Sequence, residues 1–171
     1  PFEELYGIKG AVISAVDLIT GIAKCADMKS IDVEGATGNW DTNFDGKAQA
    51  ALDTLLMDGQ DLVYVHMEAP DECGHQGNAE KKKLSVELID EKVVGFLKTK
   101  LEEAGVDYKM LILPDHPTPI SKRTHTSDPV PYILFDSEAT TQNTITFNEK
   151  AAALSGVFVE NGYQLLDMLI K

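Results

Sequence analysis

Short apolar runs alternate with helical patterns along almost the whole chain, and this alternation constrains the fold more than any other feature. Apolar runs of strand length lie at 10–13, 31–33, 62–67, 110–113 and 132–135. Apolar residues recur at helical spacing over 14–25, 44–59, 78–104 and 162–170. This order predicts an α/β fold with a mainly parallel sheet sandwiched between helices. We expect residues 1–171 to form a single domain, since no repeat or linker divides them.

Local signals refine these elements. Ser14 and Asp17 have the spacing of a capping box, which predicts a helix start and explains both residues without catalysis. Gly105 is predicted to end the long third helix. The continuous apolar run at 62–67 indicates a strand covered on both faces. His66 lies inside this run and is therefore interpreted as a hydrogen-bonded core histidine.

Charge and composition narrow the classes of partner. The chain carries 28 acidic and 15 basic residues, for a formal net charge of −13. Such a surface repels phosphate backbones, so we expect no nucleic-acid partner. We also expect no membrane partner and a cytoplasmic location, because no stretch has the length of a membrane span or the pattern of a secretion signal. Cys25 and Cys73 are too few for a disulfide or zinc framework.

Three groups of acidic and histidine residues lie next to predicted strands. Asp71 and His75 are four residues apart, so one helical turn points both side chains the same way. Asp115 and His116 come directly after the run at 110–113, and His125 lies shortly before the run at 132–135. Open α/β sheets place their ligand sites at the carboxyl ends of parallel strands. Carboxylates and imidazoles converging there are typical of a transition-metal site, so all five residues are predicted metal ligands.

Three stretches of the chain resemble one enzyme family. They are residues 34–43 (EGATGNWDTN), 65–75 (VHMEAPDECGH) and 113–118 (LPDHPT), followed by His125-Thr126 and by the Pro-Val-Pro at 129–131. In order and spacing they are similar to the metal-binding half of cofactor-independent phosphoglycerate mutases of the archaeal type. These enzymes belong to the alkaline phosphatase superfamily. The resemblance runs from about Tyr6 to the end of the chain.

The resemblance implies a binuclear metal centre and a reaction. Asp71, His75 and His125 would hold one divalent ion, and Asp115 and His116 the other. Manganese is the expected ion, with zinc, cobalt or magnesium as substitutes, and no organic cofactor is expected. The family interconverts 3-phosphoglycerate and 2-phosphoglycerate through a phosphoserine, so phosphoglycerate is the expected small-molecule partner.

The chain departs from the family pattern at the nucleophile. The family's phosphorylated serine and a further aspartate ligand come from an amino-terminal part that has no match in these residues. We therefore expect the chain to be an incomplete, carboxy-terminal fragment of an alkaline phosphatase-like fold, with no catalytic residue of its own and no activity alone. The missing amino-terminal part is its expected partner.

Residues that contact substrate are not identified by the resemblance. Lys9 and Lys47 are candidates for phosphate contacts, since an acidic protein that handles anions needs local positive charge. Glu34, Asp41 and Asn43 lie in the family-like stretch at 34–43 and are interpreted as groups that support the site.

Two alternatives remain open from the sequence. The ligands are shared with other phosphotransferases and phosphatases of the superfamily, including relatives labelled homoserine kinases. A non-catalytic module stabilised by a metal is the second alternative. Structural metal sites usually have four protein ligands. Here one ion would have three protein ligands and the other two, which leaves coordination positions open, as catalysis requires.

Overall fold

The computed structural model describes residues 1–140 and 146–171. The alternating order expected from the sequence is present, together with short helices near both ends and one after the third strand. In chain order the elements are α1 (Phe2–Tyr6), β1 (Gly10–Ile13), α2 (Asp17–Cys25), β2 (Lys29–Ile31), α3 (Phe44–Leu56), β3 (Leu62–Val65), α4 (Ala69–Gln76), α5 (Ala79–Ile89), a π-helical segment (Asp90–Gly95), α6 (Phe96–Ala104), β4 (Lys109–Ile112), β5 (Ile133–Asp136), α7 (Glu149–Leu154) and α8 (Gln164–Ile170).

The predicted parallel sheet is formed by the first three strands. They lie in the order β2-β1-β3, with Ala11 opposite Lys29 on one side and Val63 on the other. β4 and β5 instead form a separate antiparallel pair, in which Met110 lies opposite Phe135. A parallel connection needs a crossover, usually a helix. Residues 113–132 contain none, so β5 returns antiparallel to β4.

The core lies between α3, the central strand β1 and the long helix formed by α5, the π-helical segment and α6. All four residues of β1 are buried. Ala48 and Ala51 of α3 are 0% and 1% exposed, and these small side chains allow α3 to approach the sheet closely. Leu97 and Leu101 of α6 join the same cluster. The helical period of the sequence thus predicted the packed faces of α3 and α6 correctly. It was wrong for α2, where Leu18 and Ile22 are 70% and 56% exposed and Cys25 is exposed.

Asparagine side chains cap three helices, among them α3 and α5, and one predicted capping box is wrong. The side chains of Asn43 and Asn78 accept the Gly46 and Lys81 N–H groups at 2.8 and 3.0 Å and cap α3 and α5. α2 begins only at Asp17, with no side-chain cap, so Ser14 lies too far upstream to cap it. The prediction for Gly105 is confirmed, since it ends α6 with a φ of 67°.

β3 is shorter and more open than its apolar run predicted. It ends at Val65, so His66 follows the strand, and Tyr64 is 45% exposed. The prediction of a strand covered on both faces is therefore wrong in this structure, because the face that carries Val63 and Val65 packs against the core and the face that carries Tyr64 is open. None of the described helices is long and apolar enough to cross a membrane.

Candidate metal centre

The first two predicted ligands are positioned by α4. Pro70 stands in the first turn of this helix, where its fixed φ and missing N–H favour a helix start. Asp71 and His75 follow one turn apart, with 3.3 Å between Asp71 Oδ2 and His75 Nε2. The spacing of four residues therefore brings both side chains to one face, as expected.

His125 reaches the same point from the segment between β4 and β5. Its Nε2 lies 3.1 Å from His75 Nε2 and 3.4 Å from Asp71 Oδ1. The donor atoms of Asp71, His75 and His125 all lie within 4.8 Å of one another. Ligands about 2.1 Å from one ion, at octahedral or tetrahedral angles, are separated by roughly 3.0–3.4 Å. The observed spacings therefore fit a shared cation.

The hydrogen bond on the far side of His75 supports the same interpretation. His75 Nδ1 lies 3.0 Å from the carbonyl oxygen of Arg123, which only accepts. A neutral His75 therefore carries its hydrogen on Nδ1 and presents a lone pair from Nε2 to the Asp71 carboxylate. Two lone pairs facing each other repel unless a cation lies between them. Metal-binding histidines usually donate their second N–H to an acceptor of this kind.

Asp115 and His116 lie beside this triad. They follow β4, and His116 Nε2 is 3.5 Å from Asp115 Oδ2. The rings of His116 and His125 are only 3.7 Å apart between centroids. The structure thus brings all five predicted residues to one region. They form a triad of Asp71, His75 and His125 and an adjacent pair of Asp115 and His116.

A buried threonine in this region was not singled out by the sequence analysis. Thr118 is 4% exposed, and its Oγ1 donates to Asp71 Oδ1 while lying 3.3 Å from His116 Nδ1. Its carbonyl accepts from Lys82 Nζ at 2.7 Å. Burial lowers the pKa of Lys82, and the nearby Asp71 charge opposes that shift. The only sequence hint was that Thr118 ends the family-like stretch at 113–118.

The two lysines that were candidates for phosphate contacts, and Ser14, lie outside the triad of predicted ligands. Lys47 is 1% exposed, and its Nζ donates to the His66 carbonyl at 3.0 Å. Burial lowers the pKa of Lys47, with Glu68 opposing. Ser14 Oγ accepts the Val16 N–H at 3.0 Å and lies 3.1 Å from His66 Nδ1, which confirms that His66 is hydrogen-bonded. Lys9 precedes β1 and lies at the opposite end of that strand from Ser14.

His66 and Glu68 form the junction between β3 and α4. Burial lowers the pKa of His66, and the charge of Asp115 opposes this shift. Burial also raises the pKa of Glu68, with further increases from Glu72 and Asp71. Because Lys47 donates to the His66 carbonyl, it binds the segment that leads directly into α4, the helix that carries Asp71 and His75.

The family-like stretch at 34–43 supports α3 through Asn43. The Asn43 side chain caps α3 and also donates to the Glu34 carbonyl at 2.8 Å, whereas Asp41 is exposed. The interpretation of Glu34 and Asp41 as side chains that support the metal ligands stays a prediction.

Comparison with known proteins identifies the family. Residues 1–162 match the family described as the metalloenzyme superfamily. The chain belongs to this superfamily. Over 169 residues it is 48% identical to the 2,3-bisphosphoglycerate-independent phosphoglycerate mutase of Methanothrix thermoacetophila, covering 99% of this chain and 43% of the relative. It is 46% identical to a probable enzyme of the same name from Geobacter sulfurreducens, covering 99% of this chain and 42% of that one.

Two solved structures share the superfamily fold. The PH0037 protein of Pyrococcus horikoshii matches with a TM-score of 0.81 and 26% identity, over 98% of this chain and 49% of that one. The cofactor-independent phosphoglycerate mutase of Thermoplasma acidophilum matches with a TM-score of 0.68 and 21% identity, over 98% and 38% of the two chains. The chain therefore spans less than half the length of the relatives it matches.

Proposed function

We propose that this chain forms the metal-binding part of a phosphoglycerate mutase that interconverts 3-phosphoglycerate and 2-phosphoglycerate through a phosphoserine. The observation that carries the proposal is the convergence of Asp71, His75 and His125 at spacings that suit one divalent ion. The names of relatives that are 46–48% identical over nearly the whole chain support the reaction class. Residues 1–171 are proposed to act as one domain in it.

Two divalent ions are proposed, with manganese favoured and zinc, cobalt or magnesium as substitutes. The triad supplies two imidazoles and one carboxylate, and the adjacent pair supplies one of each. This mixture of nitrogen and oxygen ligands suits such ions better than a thiolate-dominated set would. Cys73 is buried on α4, and burial raises the pKa of its thiol, so it is not proposed as a ligand.

The chain's own residues would contribute positioning and charge. When bound, the ions would lower the pKa of the attacking hydroxyl and neutralise phosphoryl oxygens. Asp71, His75 and His125 would hold one ion at the carboxyl end of the sheet, while Asp115 and His116 would hold the other. Phosphoryl transfer depends chiefly on positioning and electrostatics, so the loss of one ligand should lower the reaction rate severely.

The serine nucleophile and the groups that bind the glycerate are proposed to lie outside these residues. Ser14 follows a strand end, but its oxygen accepts the Val16 N–H and contacts His66 Nδ1. The relatives are more than twice as long as this chain, which leaves room for a nucleophile elsewhere. We therefore expect no mutase turnover from this chain alone. A clear rate in an enolase-coupled assay, abolished by His125→Ala, would overturn this part of the proposal.

Metal binding is tested by calorimetric titration of the metal-free chain with Mn²⁺ and Zn²⁺. About one ion per chain is expected at the triad, because the adjacent pair of Asp115 and His116 supplies only two ligands for the second ion. His75→Ala should abolish this binding. Glu80→Ala is the control, because Glu80 is an exposed residue in the first turn of α5 and is not one of the five predicted ligands. Absence of binding to the unmodified chain, or equal binding by His75→Ala, would contradict the proposal.

The reaction class is tested with the longer protein that contains this chain. We expect it to convert 3-phosphoglycerate in the enolase-coupled assay and to lose that rate in His125→Ala. Steady hydrolysis of a simple phosphate ester without mutase activity would instead support the phosphatase alternative.

A further inference from the structure

The hydroxyl of Thr118 lies between the two groups of predicted ligands. Thr118 is 4% exposed, so its side chain has little contact with water. Its Oγ1 donates to Asp71 Oδ1 and is 3.3 Å from His116 Nδ1. Asp71 belongs to the triad and His116 to the adjacent pair. One buried side chain therefore contacts a member of each group.

A count of hydrogens fixes the direction of both contacts. A threonine hydroxyl has one hydrogen to donate and lone pairs to accept. An ionised carboxylate only accepts, so the hydrogen of Thr118 goes to Asp71. The contact with His116 is then a hydrogen bond when His116 Nδ1 donates. A neutral His116 consequently has its lone pair on Nε2, the nitrogen that lies 3.5 Å from Asp115 Oδ2.

The backbone of Thr118 is held by two neighbouring helices. Its carbonyl accepts from Lys82 Nζ of α5 at 2.7 Å. Its carbonyl oxygen also packs on Gly74 of α4, where a Cβ would lie only 2.5 Å away. The residue is therefore fixed from the backbone side while its hydroxyl faces Asp71 and His116.

We propose that Thr118 is a positioning residue that orients one ligand of each group. Its hydrogen bond to Oδ1 turns Asp71 so that Oδ2 faces His75, and its lone pair selects the His116 tautomer with Nε2 free. The inference rests on the proposed metal-binding function and adds the residue that couples the two groups. Residues that orient metal ligands typically contribute tenfold or more to metal affinity.

The first test compares Thr118→Val with Thr118→Ser. Valine has the shape of threonine without the hydroxyl, and serine retains the hydroxyl. Thr54→Val is the matched control, because Thr54 is 2% exposed and lies in α3. In calorimetric titrations with Mn²⁺ and Zn²⁺, Thr118→Val should lose about tenfold in affinity or more. Thr118→Ser and Thr54→Val should bind nearly as the unmodified chain does.

Two outcomes of this test overturn the inference. Equal metal affinity of Thr118→Val and the unmodified chain would mean that the hydroxyl does not orient Asp71 and His116 for metal binding. An equal loss of affinity in Thr54→Val would attribute the effect to weakened packing.

The second test reads the tautomer of His116 without any metal. Long-range ¹H–¹⁵N correlation spectra of the metal-free chain, in mildly alkaline buffer where imidazoles are neutral, distinguish a protonated ring nitrogen from an unprotonated one. We expect His116 to carry its hydrogen on Nδ1, and Thr118→Val to shift the population toward Nε2–H. A His116 with its hydrogen on Nε2 in the unmodified chain would contradict the inference.

The two tests together separate this inference from the proposed function. If the unmodified chain binds no ion but the tautomer depends on Thr118, the metal function fails and the orienting hydrogen bond stands. If ions bind and neither affinity nor tautomer changes in Thr118→Val, the inference about Thr118 alone fails.

Discussion

His75 Nδ1 lies 3.0 Å from the carbonyl oxygen of Arg123, a residue whose backbone has a φ of 56°. This left-handed conformation is uncommon for residues other than glycine, asparagine and aspartate, and it costs roughly 1 kcal/mol. The Arg123 N–H is held by the Pro119 carbonyl at 2.9 Å. The unfavourable conformation thus occurs where a backbone carbonyl orients a predicted metal ligand, which is a common place for backbone strain.

Arg123→Pro should weaken metal binding, whereas Arg123→Gly should not. Proline fixes φ near −65°, so the carbonyl would leave His75 and the ring would lose its acceptor. We expect the affinity for Zn²⁺ to fall about tenfold or more in calorimetry. Glycine adopts a positive φ without strain and retains the carbonyl, so it should bind nearly as the unmodified chain does.

Thermal unfolding of both Arg123 variants provides the control, since proline also removes the N–H that binds the Pro119 carbonyl. A folded proline variant with unchanged affinity would show that the carbonyl does not orient His75. A glycine variant as weak as the proline variant would instead assign the effect to the guanidinium, which packs against Gly77.

Gly74→Ala should destabilise the chain and Gly21→Ala should stabilise it. A Cβ at Gly74 would lie 2.5 Å from the Thr118 carbonyl oxygen and 3.0 Å from Lys82 Nζ, so α4 and the Thr118 backbone would have to separate. Gly21 lies in α2 with nothing within 4 Å of an added Cβ. We expect Gly74→Ala to cost about 1–3 kcal/mol of unfolding free energy. Gly21→Ala should raise the unfolding free energy by about 0.5–1 kcal/mol, because alanine is favoured over glycine at an open position within a helix.

Urea denaturation of both glycine variants measures the two effects in the same chain. Equal changes in unfolding free energy for the two variants would show that the close contact between Gly74 and the Thr118 carbonyl does not affect stability. The metal affinity of Gly74→Ala should also fall, because Thr118 would move relative to Asp71.

Local geometry explains which parts of the site could be predicted. Asp71 and His75 lie together because four residues span one helical turn, and that relationship is set by the sequence alone. Asp115, His116 and His125 could be placed near them because each follows or precedes a strand. Thr118 could not be found, because a threonine hydroxyl becomes significant only when packing brings it between Asp71 and His116.

The errors in the fold also have physical causes. The spacing of Ser14 and Asp17 matched a capping box, but the helix begins only after Val16, which is extended with a φ of −102°, so Ser14 contacts His66 instead. The antiparallel return of β5 depends on the absence of a crossover helix in residues 113–132, which an alternating pattern of apolar runs does not reveal. Tertiary packing decided both cases.

Tyr108→Phe should stabilise the chain. Within residues 1–140 and 146–171 the Tyr108 hydroxyl is buried without a hydrogen-bond partner. Its ring packs near Phe135, with 5.5 Å between centroids, so phenylalanine would retain the ring contact. Removing an unpaired buried hydroxyl should raise the unfolding free energy by about 1 kcal/mol at neutral pH. Tyr163→Phe, at a position 74% exposed, is the control and should leave stability unchanged.

The advantage of the phenylalanine variant should increase in alkaline solution. Burial raises the pKa of Tyr108, and the Glu102 charge raises it further. The unfolded chain therefore loses this proton first, at about pH 10, so the unfolded state binds fewer protons there and stability falls as pH rises. Tyr108→Phe has no such proton and should lose less stability above about pH 10 in urea denaturation. A phenylalanine variant that is less stable at neutral pH would mean that the hydroxyl is hydrogen-bonded in solution.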